Sequence, residues 1–327
     1  MATLLPFLAP VEPELREMGT RLRGMGEEDF PWVVDLLHHI LSSSGKQARP
    51  AITLLVGKLY RYDPALHLPM ALAVELLHTA SLVHDDTVDN ALLRRGRETI
   101  NALWGGNVAV LLGDYLFASS AEMVCSTGNV RVIQLFARTL RDLADGELRE
   151  LDRAFDWSQG QKPYWERVQR KTASLFATAA QSGAILGGAP ESAVQTLRSY
   201  GLSLGTAFQI VDDILDFEGD EEEVGKPVGN DLRQGVITLP TILYLERYAR
   251  DLTPFSSLRG GETSASGADG ALQEAIALVR ASPAIQDAYR IAAQHVQHAR
   301  RALEGAPEGP IRQALVDLAD YVTARDH

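Results

Sequence analysis

The chain is short of cysteine, of positive charge and of long uncharged apolar runs, and each shortage excludes a class of protein. Cys125 is the only cysteine, so an intramolecular disulfide is impossible and a reducing, cytoplasmic location is expected. The 31 basic residues are outnumbered by 43 acidic ones, which argues against a nucleic-acid-binding protein. No uncharged apolar run reaches about 18 residues, which predicts that no segment spans a membrane.

Strand-like alternation of apolar and polar residues is also scarce, and helical spacing of Leu, Ala and Val dominates instead. We therefore predict an all-α fold. Apolar residues make up 46% of the 327 positions, which is enough for a sizeable core. No shift in composition divides the chain, so a single helical domain over residues 1–327 is expected. The stretch 256–271 is rich in Gly and Ser and is predicted to be a mobile loop.

Two clusters of aspartates share the spacing Asp-Asp-x-x-Asp, and each follows an apolar run. The six residues are Asp85, Asp86, Asp89, Asp212, Asp213 and Asp216. On a helix, the first and last aspartates of a cluster lie on one face, roughly 6 Å apart along the axis. The three carboxylates repel one another, and a helix C-terminus disfavours negative charge, so each cluster needs a cation. A solvated acidic helix end would explain one cluster, but the matched pair favours Mg²⁺ that bridges to phosphates.

Basic residues occur in the sequence around both acidic clusters. They are Lys46, Arg49, Arg94, Arg95, Lys171 and Lys226. Arginine makes bidentate contacts to phosphate, whereas lysine supplies a point charge. Any one of them could be an ordinary surface residue. Together with two predicted metal sites, they indicate a site for more than one polyphosphate.

The stretch Leu76–Asn90, followed by Arg94-Arg95-Gly96, strongly resembles the first aspartate-rich motif of the trans-isoprenyl diphosphate synthases, also called polyprenyl synthetases. Residues 205–216 resemble the second such motif. The blocks at Gly45-Lys46, Lys171-Thr172 and Gly225-Lys226 match other family motifs in the same order, so the resemblance covers about residues 40–245.

This resemblance implies a helical bundle of the isoprenoid-synthase type around a deep central cavity, usually as a homodimer. It implies a magnesium-dependent enzyme with about three ions per active site. The substrates would be an allylic diphosphate and isopentenyl diphosphate, and the reaction would release pyrophosphate. A loose membrane association for product release is also expected.

The resemblance also implies a role for each matching residue. Asp85 and Asp89 would bind two magnesium ions and Asp212 a third, with Asp86 and Asp216 in support. The allylic diphosphate would be held by Arg94, Lys171 and Lys226. Isopentenyl diphosphate would be held by Lys46, Arg49, His78 and Arg95. The reacting centre would be lined by Thr172 and Gln209. The chain departs from many members at Val236, where they carry a lysine.

The length of the product should depend on the wall of the cavity beside the first aspartate cluster. Ala80 and Ser81 stand where short-chain relatives have a bulky aromatic, and Leu77 comes next along the wall. Phe117 or Phe136 could supply a deeper floor. We therefore predict a product of six or more isoprene units, with geranylgeranyl diphosphate as the alternative. A class I terpene cyclase and a non-catalytic subunit remain rival interpretations, disfavoured because both aspartate clusters are intact.

Overall fold

The chain is helical almost throughout the part that the structure describes. This computed structural model describes residues 5–26, 29–42, 47–94, 96–218, 228–249, 253–258 and 265–324. Within these ranges the only strands are two-residue segments, β1 (Leu93–Arg94) and β2 (Arg97–Glu98), which pair antiparallel. The prediction of an all-α fold is confirmed.

Ahead of the first helix in the described residues lies a 3₁₀ turn, Pro6–Val11, and the α-helices follow it. In chain order they are α1 (Glu12–Arg23), α2 (Pro31–Leu41), α3 (Ala48–Leu59), α4 (Pro64–Val88), α5 (Ile100–Trp104), α6 (Gly106–Ser126), α7 (Val130–Asp152), α8 (Gln161–Val168), α9 (Ser174–Leu186), α10 (Glu191–Glu218), α11 (Asn230–Arg233), α12 (Leu239–Arg247), α13 (Thr253–Ser256), α14 (Ala265–Arg280), α15 (Ala284–Ala302) and α16 (Pro310–Ala324).

Helix α14 overlaps the predicted loop. It begins at Ala265, so residues 265–271 are helical and the prediction of a loop over 256–271 is wrong in that part. Residues 259–264 lie outside the described ranges. The Gly and Ser content disfavours a helix only weakly, and the apolar spacing that follows carries the helix back into this stretch.

The chain divides into two compact units, each assembled from three stretches of sequence. Unit 1 comprises Met1–Arg141, Leu175–Leu202 and Ala299–Ala319. Unit 2 comprises Asp142–Ser174, Ser203–His298 and Asp320–His327. The first aspartate cluster belongs to unit 1 and the second belongs to unit 2.

The long helix α4 forms the centre of unit 1 and leads to the first cluster. Its start is fixed by Asp63, whose side chain accepts the N–H of Ala65 at 2.9 Å, and by Pro64 in the first turn. Helix α4 packs against α3 and along α6. Its apolar residues are mostly buried, so burial of this helix accounts for much of the core of the unit.

Helices α4 and α6 are both long and apolar enough to cross a membrane by length and composition alone. In α4, 61% of the most apolar window is buried inside the protein, as expected for a core helix. In α6 only 33% is buried, so much of its apolar surface is uncovered in the single chain. The expectation that no segment spans a membrane stays a prediction.

Unit 2 is held by polar contacts as well as apolar packing. Asp287 on α15 accepts hydrogen bonds from Arg247 at 2.9 Å and from Tyr248 at 2.7 Å, which ties α15 to the end of α12. Arg167 donates to the carbonyl of Ile237 at 3.2 Å, which ties α8 to the segment before α12. These contacts tie α8, α12 and α15 together within unit 2.

Candidate active site

The first aspartate cluster lies in the last turn of α4. Asp85 and Asp86 are inside the helix and Asp89 is its C-cap, with the Asp89 N–H donating to the Asp85 carbonyl at 2.8 Å. The helical i to i+4 spacing predicted for this cluster is therefore confirmed. Asp85 is half-buried and Asp89 is exposed, whereas Asp86 between them is buried.

Asp86 has a partner from the short hairpin that follows α4. The Nε of Arg94 donates to both carboxylate oxygens of Asp86, at 2.7 and 2.9 Å. The Asp86 side chain is only 5% exposed and that of Arg94 is 26% exposed. The two predicted roles, metal support for Asp86 and diphosphate binding for Arg94, are thus linked by a charged pair that holds the arginine beside the cluster.

His84, directly before the cluster, packs against α6. Its ring meets Phe117 edge to face, with centroids 5.1 Å apart, and its Nε2 lies 3.0 Å from the Val110 carbonyl. The close approach depends on Gly113, where a Cβ atom would fall 2.1 Å from the His84 ring. His84 therefore anchors the end of α4, and nothing here gives it a chemical role.

The residues predicted to bind isopentenyl diphosphate are described only in part. The guanidinium carbon of Arg49, on α3, lies 4.4 Å from the ring centre of Phe176, a cation–π contact that helps to hold the group in place. His78 is half-buried on α4. Lys46 and Arg95 lie outside the described residues, and so does Lys226, predicted to bind the allylic diphosphate.

The wall predicted to set product length differs in accessibility from residue to residue. Leu77 and Ala80 have no accessible surface, so their side chains are packed and do not face open space. Ser81 is half-buried and is the member of the predicted set that keeps accessible surface. Of the two residues suggested as a deeper floor, Phe136 is buried, and Phe117 contacts His84. Phe117 is therefore level with the aspartate cluster, not several turns below it.

In unit 2, the second cluster lies at the end of α10 and is organised by a buried hydrogen-bond chain. The Tyr164 hydroxyl donates to Asp213 Oδ2 at 2.6 Å, and Gln209 Nε2 donates to Asp213 Oδ1 at 2.8 Å. The Thr172 hydroxyl donates to Gln209 Oε1 at 2.7 Å. The resemblance assigns Thr172 and Gln209 to the reacting centre, and the structure shows that the two side chains are hydrogen-bonded to each other. It assigns no role to Tyr164, and Asp213 enters only as a member of the cluster.

Asp216, predicted to support a metal ion, also organises the backbone. Its carboxylate accepts the N–H groups of Asn230 at 3.1 Å and Asp231 at 3.2 Å, at the start of α11. Its carbonyl accepts the N–H of Gly229 at 2.8 Å. The side chain is therefore bound to protein donors on at least one side.

Three carboxylates, those of Asp213, Asp216 and Asp231, lie close enough to influence one another at the second cluster. Burial, followed by the nearby charge of Asp231, raises the pKa of Asp213 to about 7 and that of Asp216 to about 8. Burial and the Asp213 carboxylate also raise the pKa of Tyr164 well above its usual value. A donor set made only of carboxylate oxygens is the kind that a hard divalent cation prefers. Among the described residues, no group of three or more Asp, Glu, His or Cys is already drawn together around one metal position.

Lys171 and Thr172 are displayed by an irregular turn. The helix α8 passes into a π-helical turn, Gln169–Ala173, before α9 begins. Such a turn inserts one extra residue and is frequent at functional sites. The Lys171 ammonium lies 2.5 Å from Glu147 Oε2 and 2.6 Å from Glu150 Oε1, both on α7. The lysine predicted to bind an allylic diphosphate is thus placed by two carboxylates of its own unit.

The approach of α7 to this turn requires a glycine. A Cβ atom at Gly146 would lie 2.7 Å from the backbone nitrogen of Lys171. No larger residue fits without moving one of the two segments.

Val236, at the position where many members carry lysine, donates its N–H to the Asp231 carbonyl at 2.8 Å. The side chain of nearby Arg233 is exposed.

Comparison with known proteins identifies the family. The profile of the polyprenyl synthetase family matches residues 30–271, well over half of the chain. The chain belongs to the polyprenyl synthetase family. It is a transferase, and the resemblance read from the sequence motifs is confirmed. Prenyl diphosphate synthases of this family are generally magnesium-dependent.

Relatives and solved structures extend the likeness over nearly the whole chain. Component 2 of heptaprenyl diphosphate synthase from Geobacillus stearothermophilus is 39% identical over 98% of this chain and 96% of its own. The crystal structure of a decaprenyl diphosphate synthase from Rhodobacter capsulatus matches with a TM-score of 0.90 at 36% identity, covering 98% of each chain. A geranylgeranyl pyrophosphate synthase from Lactobacillus brevis matches with a TM-score of 0.88 at 29% identity, over 97% and 98% of the two chains.

Proposed function

We propose that this polyprenyl synthetase joins an allylic diphosphate to isopentenyl diphosphate, head to tail, and repeats the step to make a long all-trans polyprenyl diphosphate. The observation that carries the proposal is the pair of Asp-Asp-x-x-Asp clusters, each at the end of an apolar helix. The second cluster has the Thr172–Gln209 pair hydrogen-bonded beside it. The long-chain synthases among the compared proteins support the same reaction.

The chemistry asks the protein to stabilise charge, not to supply a nucleophile. The allylic C–O bond ionises, the alkene of isopentenyl diphosphate attacks the resulting cation, and one proton leaves with the pyrophosphate. Lys171 and Arg94 would hold the diphosphate that becomes the leaving group, where fixed positive charge lowers the barrier most. Thr172 and Gln209 would direct their dipoles toward the cationic carbon. Apolar surroundings would keep water from the cation.

Magnesium would complete the site, and we infer about three ions. Asp85 and Asp89 would hold two of them and Asp212 the third. Bound there, the ions would neutralise the charge that develops on the departing pyrophosphate. Asp86 and Asp216 would contribute mainly by positioning, since Asp86 is paired with Arg94 and Asp216 caps α11.

The length of the product would be set by the wall beside the first cluster. Ser81 is small and half-buried, so its own side chain does not close the predicted cavity. We infer six or more isoprene units, because Ser81 and Ala80 stand where a bulky aromatic would stop growth at three or four. Geranylgeranyl diphosphate remains the alternative, and one of the compared structures is a synthase of that product.

We infer that the working form is a homodimer that covers the apolar face of α6. Val110 is 44% exposed and Leu111 is 69% exposed, far more than apolar residues of a core helix. One relative is named as component 2 of its enzyme, so a different partner subunit is the alternative. Light scattering should show a dimer, and Leu111→Glu should give a monomer. Thr196→Glu, at an exposed site on α10, is the matched control.

The proposed reaction can be tested directly. The purified chain is incubated with Mg²⁺, isopentenyl diphosphate and each allylic primer, and the dephosphorylated products are separated by chromatography. Linear alcohols of six or more units are expected. Cyclic hydrocarbons without consumption of isopentenyl diphosphate would indicate a terpene cyclase. No product from any primer would indicate that the chain alone is a non-catalytic subunit.

A further inference from the structure

Two buried polar side chains meet behind the second aspartate cluster. Tyr164 on α8 is 1% exposed, and Asp213, the middle aspartate of the cluster, is 2% exposed. The tyrosine hydroxyl donates to Asp213 Oδ2 at 2.6 Å. A carboxylate with so little access to water needs protein donors, and each Asp213 oxygen has one. Asp213 is therefore turned into the protein, unlike an aspartate that binds a metal ion.

The other donor to Asp213 is an amide that could be placed in either orientation. A glutamine side chain presents N–H groups at one end and a carbonyl at the other. The Oδ1 atom of Asp213 accepts the hydrogen bond from the Nε2 end of Gln209 at 2.8 Å, so the carbonyl end of the amide points away from Asp213. The Oε1 end is then directed at the Thr172 hydroxyl, 2.7 Å away.

The orientation of this amide also decides where the Thr172 proton points. Because Gln209 offers a carbonyl, the Thr172 hydroxyl donates to it, and the lone pairs of the threonine oxygen point elsewhere. A reversed amide would donate to that oxygen instead and would expose the hydroxyl proton. Near a developing cation the first arrangement is favourable and the second is not, since preoriented dipoles act most strongly where charge appears.

We propose that Tyr164 is a positioning residue for the condensation. With Asp213 it fixes the amide orientation of Gln209 and, through it, the hydroxyl of Thr172. The inference rests on the proposed function, because it takes Thr172 and Gln209 to line the reacting centre. Tyr164 itself acts at a distance of two hydrogen-bonded side chains from Thr172 and contacts no substrate.

A second buried tyrosine provides a matched control. Tyr200 on α10 has no accessible surface, and its hydroxyl donates to the Leu315 carbonyl at 2.8 Å. Tyr164→Phe and Tyr200→Phe each remove one buried hydroxyl that makes a hydrogen bond. Both should lower the melting temperature. Only Tyr164→Phe should lower kcat, by about tenfold, the rate equivalent of one charge-assisted hydrogen bond. The KM values for both substrates should stay within about twofold of wild type.

A double-mutant cycle with Gln209→Leu separates positioning from general destabilisation. If Tyr164 acts through Gln209, adding Tyr164→Phe to Gln209→Leu lowers kcat no further. Asp213→Asn should lower kcat in the same way as Tyr164→Phe and serves as the second variant should Tyr164→Phe fail to fold. The inference alone is overturned if the wild type is active but Tyr164→Phe changes kcat no more than Tyr200→Phe does. It is also overturned if the kcat losses of Tyr164→Phe and Gln209→Leu multiply in the double mutant. An inactive wild type overturns the proposed function and the inference with it.

Discussion

Asp86 and Arg94 form a salt bridge at the end of α4, in which the arginine Nε donates to both carboxylate oxygens at 2.7 and 2.9 Å. The middle aspartate of the first cluster is thereby occupied with an arginine, while Asp85 and Asp89 on either side keep accessible surface. The middle aspartate of the second cluster, Asp213, is likewise held by protein donors. In both clusters the middle residue positions other groups.

The first prediction follows from the charged pair. Asp86→Asn should weaken the hold on Arg94 and raise the KM for the allylic diphosphate about tenfold, with a smaller effect on isopentenyl diphosphate. Glu191→Gln is the control, because it weakens another arginine–carboxylate pair, Arg131–Glu191, which is exposed. That variant should leave both KM values unchanged. Equal changes in both KM values in Asp86→Asn would contradict the assignment of Arg94 to the allylic substrate.

The second prediction concerns the outer aspartates. Asp85→Ala and Asp212→Ala should each lower kcat by at least ~100-fold, the scale of losing one electrostatic stabiliser of the transition state. Circular dichroism should show that both variants stay folded, since each removes one of several clustered like charges. Turnover close to wild type in either variant would mean that the aspartate does not bind a metal ion required for the reaction.

The third prediction tests the close approach of α7 to Lys171. Gly146→Ala should lower the melting temperature by at least ~3 °C and reduce turnover, because its Cβ would meet the lysine backbone at 2.7 Å. Gly270→Ala, on α14 where a Cβ meets nothing within 4 Å, is the control. It should stabilise the helix by up to about 1 kcal/mol and leave activity unchanged. A Gly146→Ala enzyme as stable and active as wild type would show that the approach is looser than described.

The fourth prediction concerns chain length. Ser81→Phe should shorten the main product to about three or four isoprene units, since one helical turn of ~5.4 Å spans about one unit. Ala80→Phe should mainly destabilise the protein, because Ala80 has no accessible surface. Product chromatography and thermal melts of both variants distinguish the two effects. If Ala80→Phe shortens the product and Ser81→Phe does not, then Ala80 lines the cavity, and the argument from accessible surface that favours Ser81 is wrong.

The fold and the helical placement of the two aspartate clusters were predictable because their signals are local. Apolar spacing marked the helices, and the repeated aspartate spacing marked the ends of α4 and α10. The family motifs assign Thr172 and Gln209 to one reacting centre, which stays a prediction, although the two side chains are hydrogen-bonded to each other. Each of these conclusions needs only the sequence on either side of the residue.

The supporting contacts were not predictable, because they join residues distant in the chain. Tyr164 reaches Asp213 across 49 positions, and nothing around Tyr164 in the sequence indicates that a carboxylate lies at its hydroxyl. The same holds for Glu147 and Glu150, which read as ordinary charges of an amphipathic helix until α7 is placed against Lys171. Whether a side chain is accessible also depends on distant parts of the chain. The sequence around Ala80 therefore could not show that this residue, expected to line the cavity, is buried.

Asp216 has a consequence for the stretch of sequence between it and α11. Its carboxylate and its carbonyl together accept N–H groups from Gly229, Asn230 and Asp231, so the two ends of that stretch are fastened to each other. The side-chain hydrogen bonds of Asp216 join residues 14 and 15 positions apart in the sequence. The end of α10 therefore fixes where α11 begins, and a substitution of Asp216 would loosen the start of α11 as well as alter the aspartate cluster.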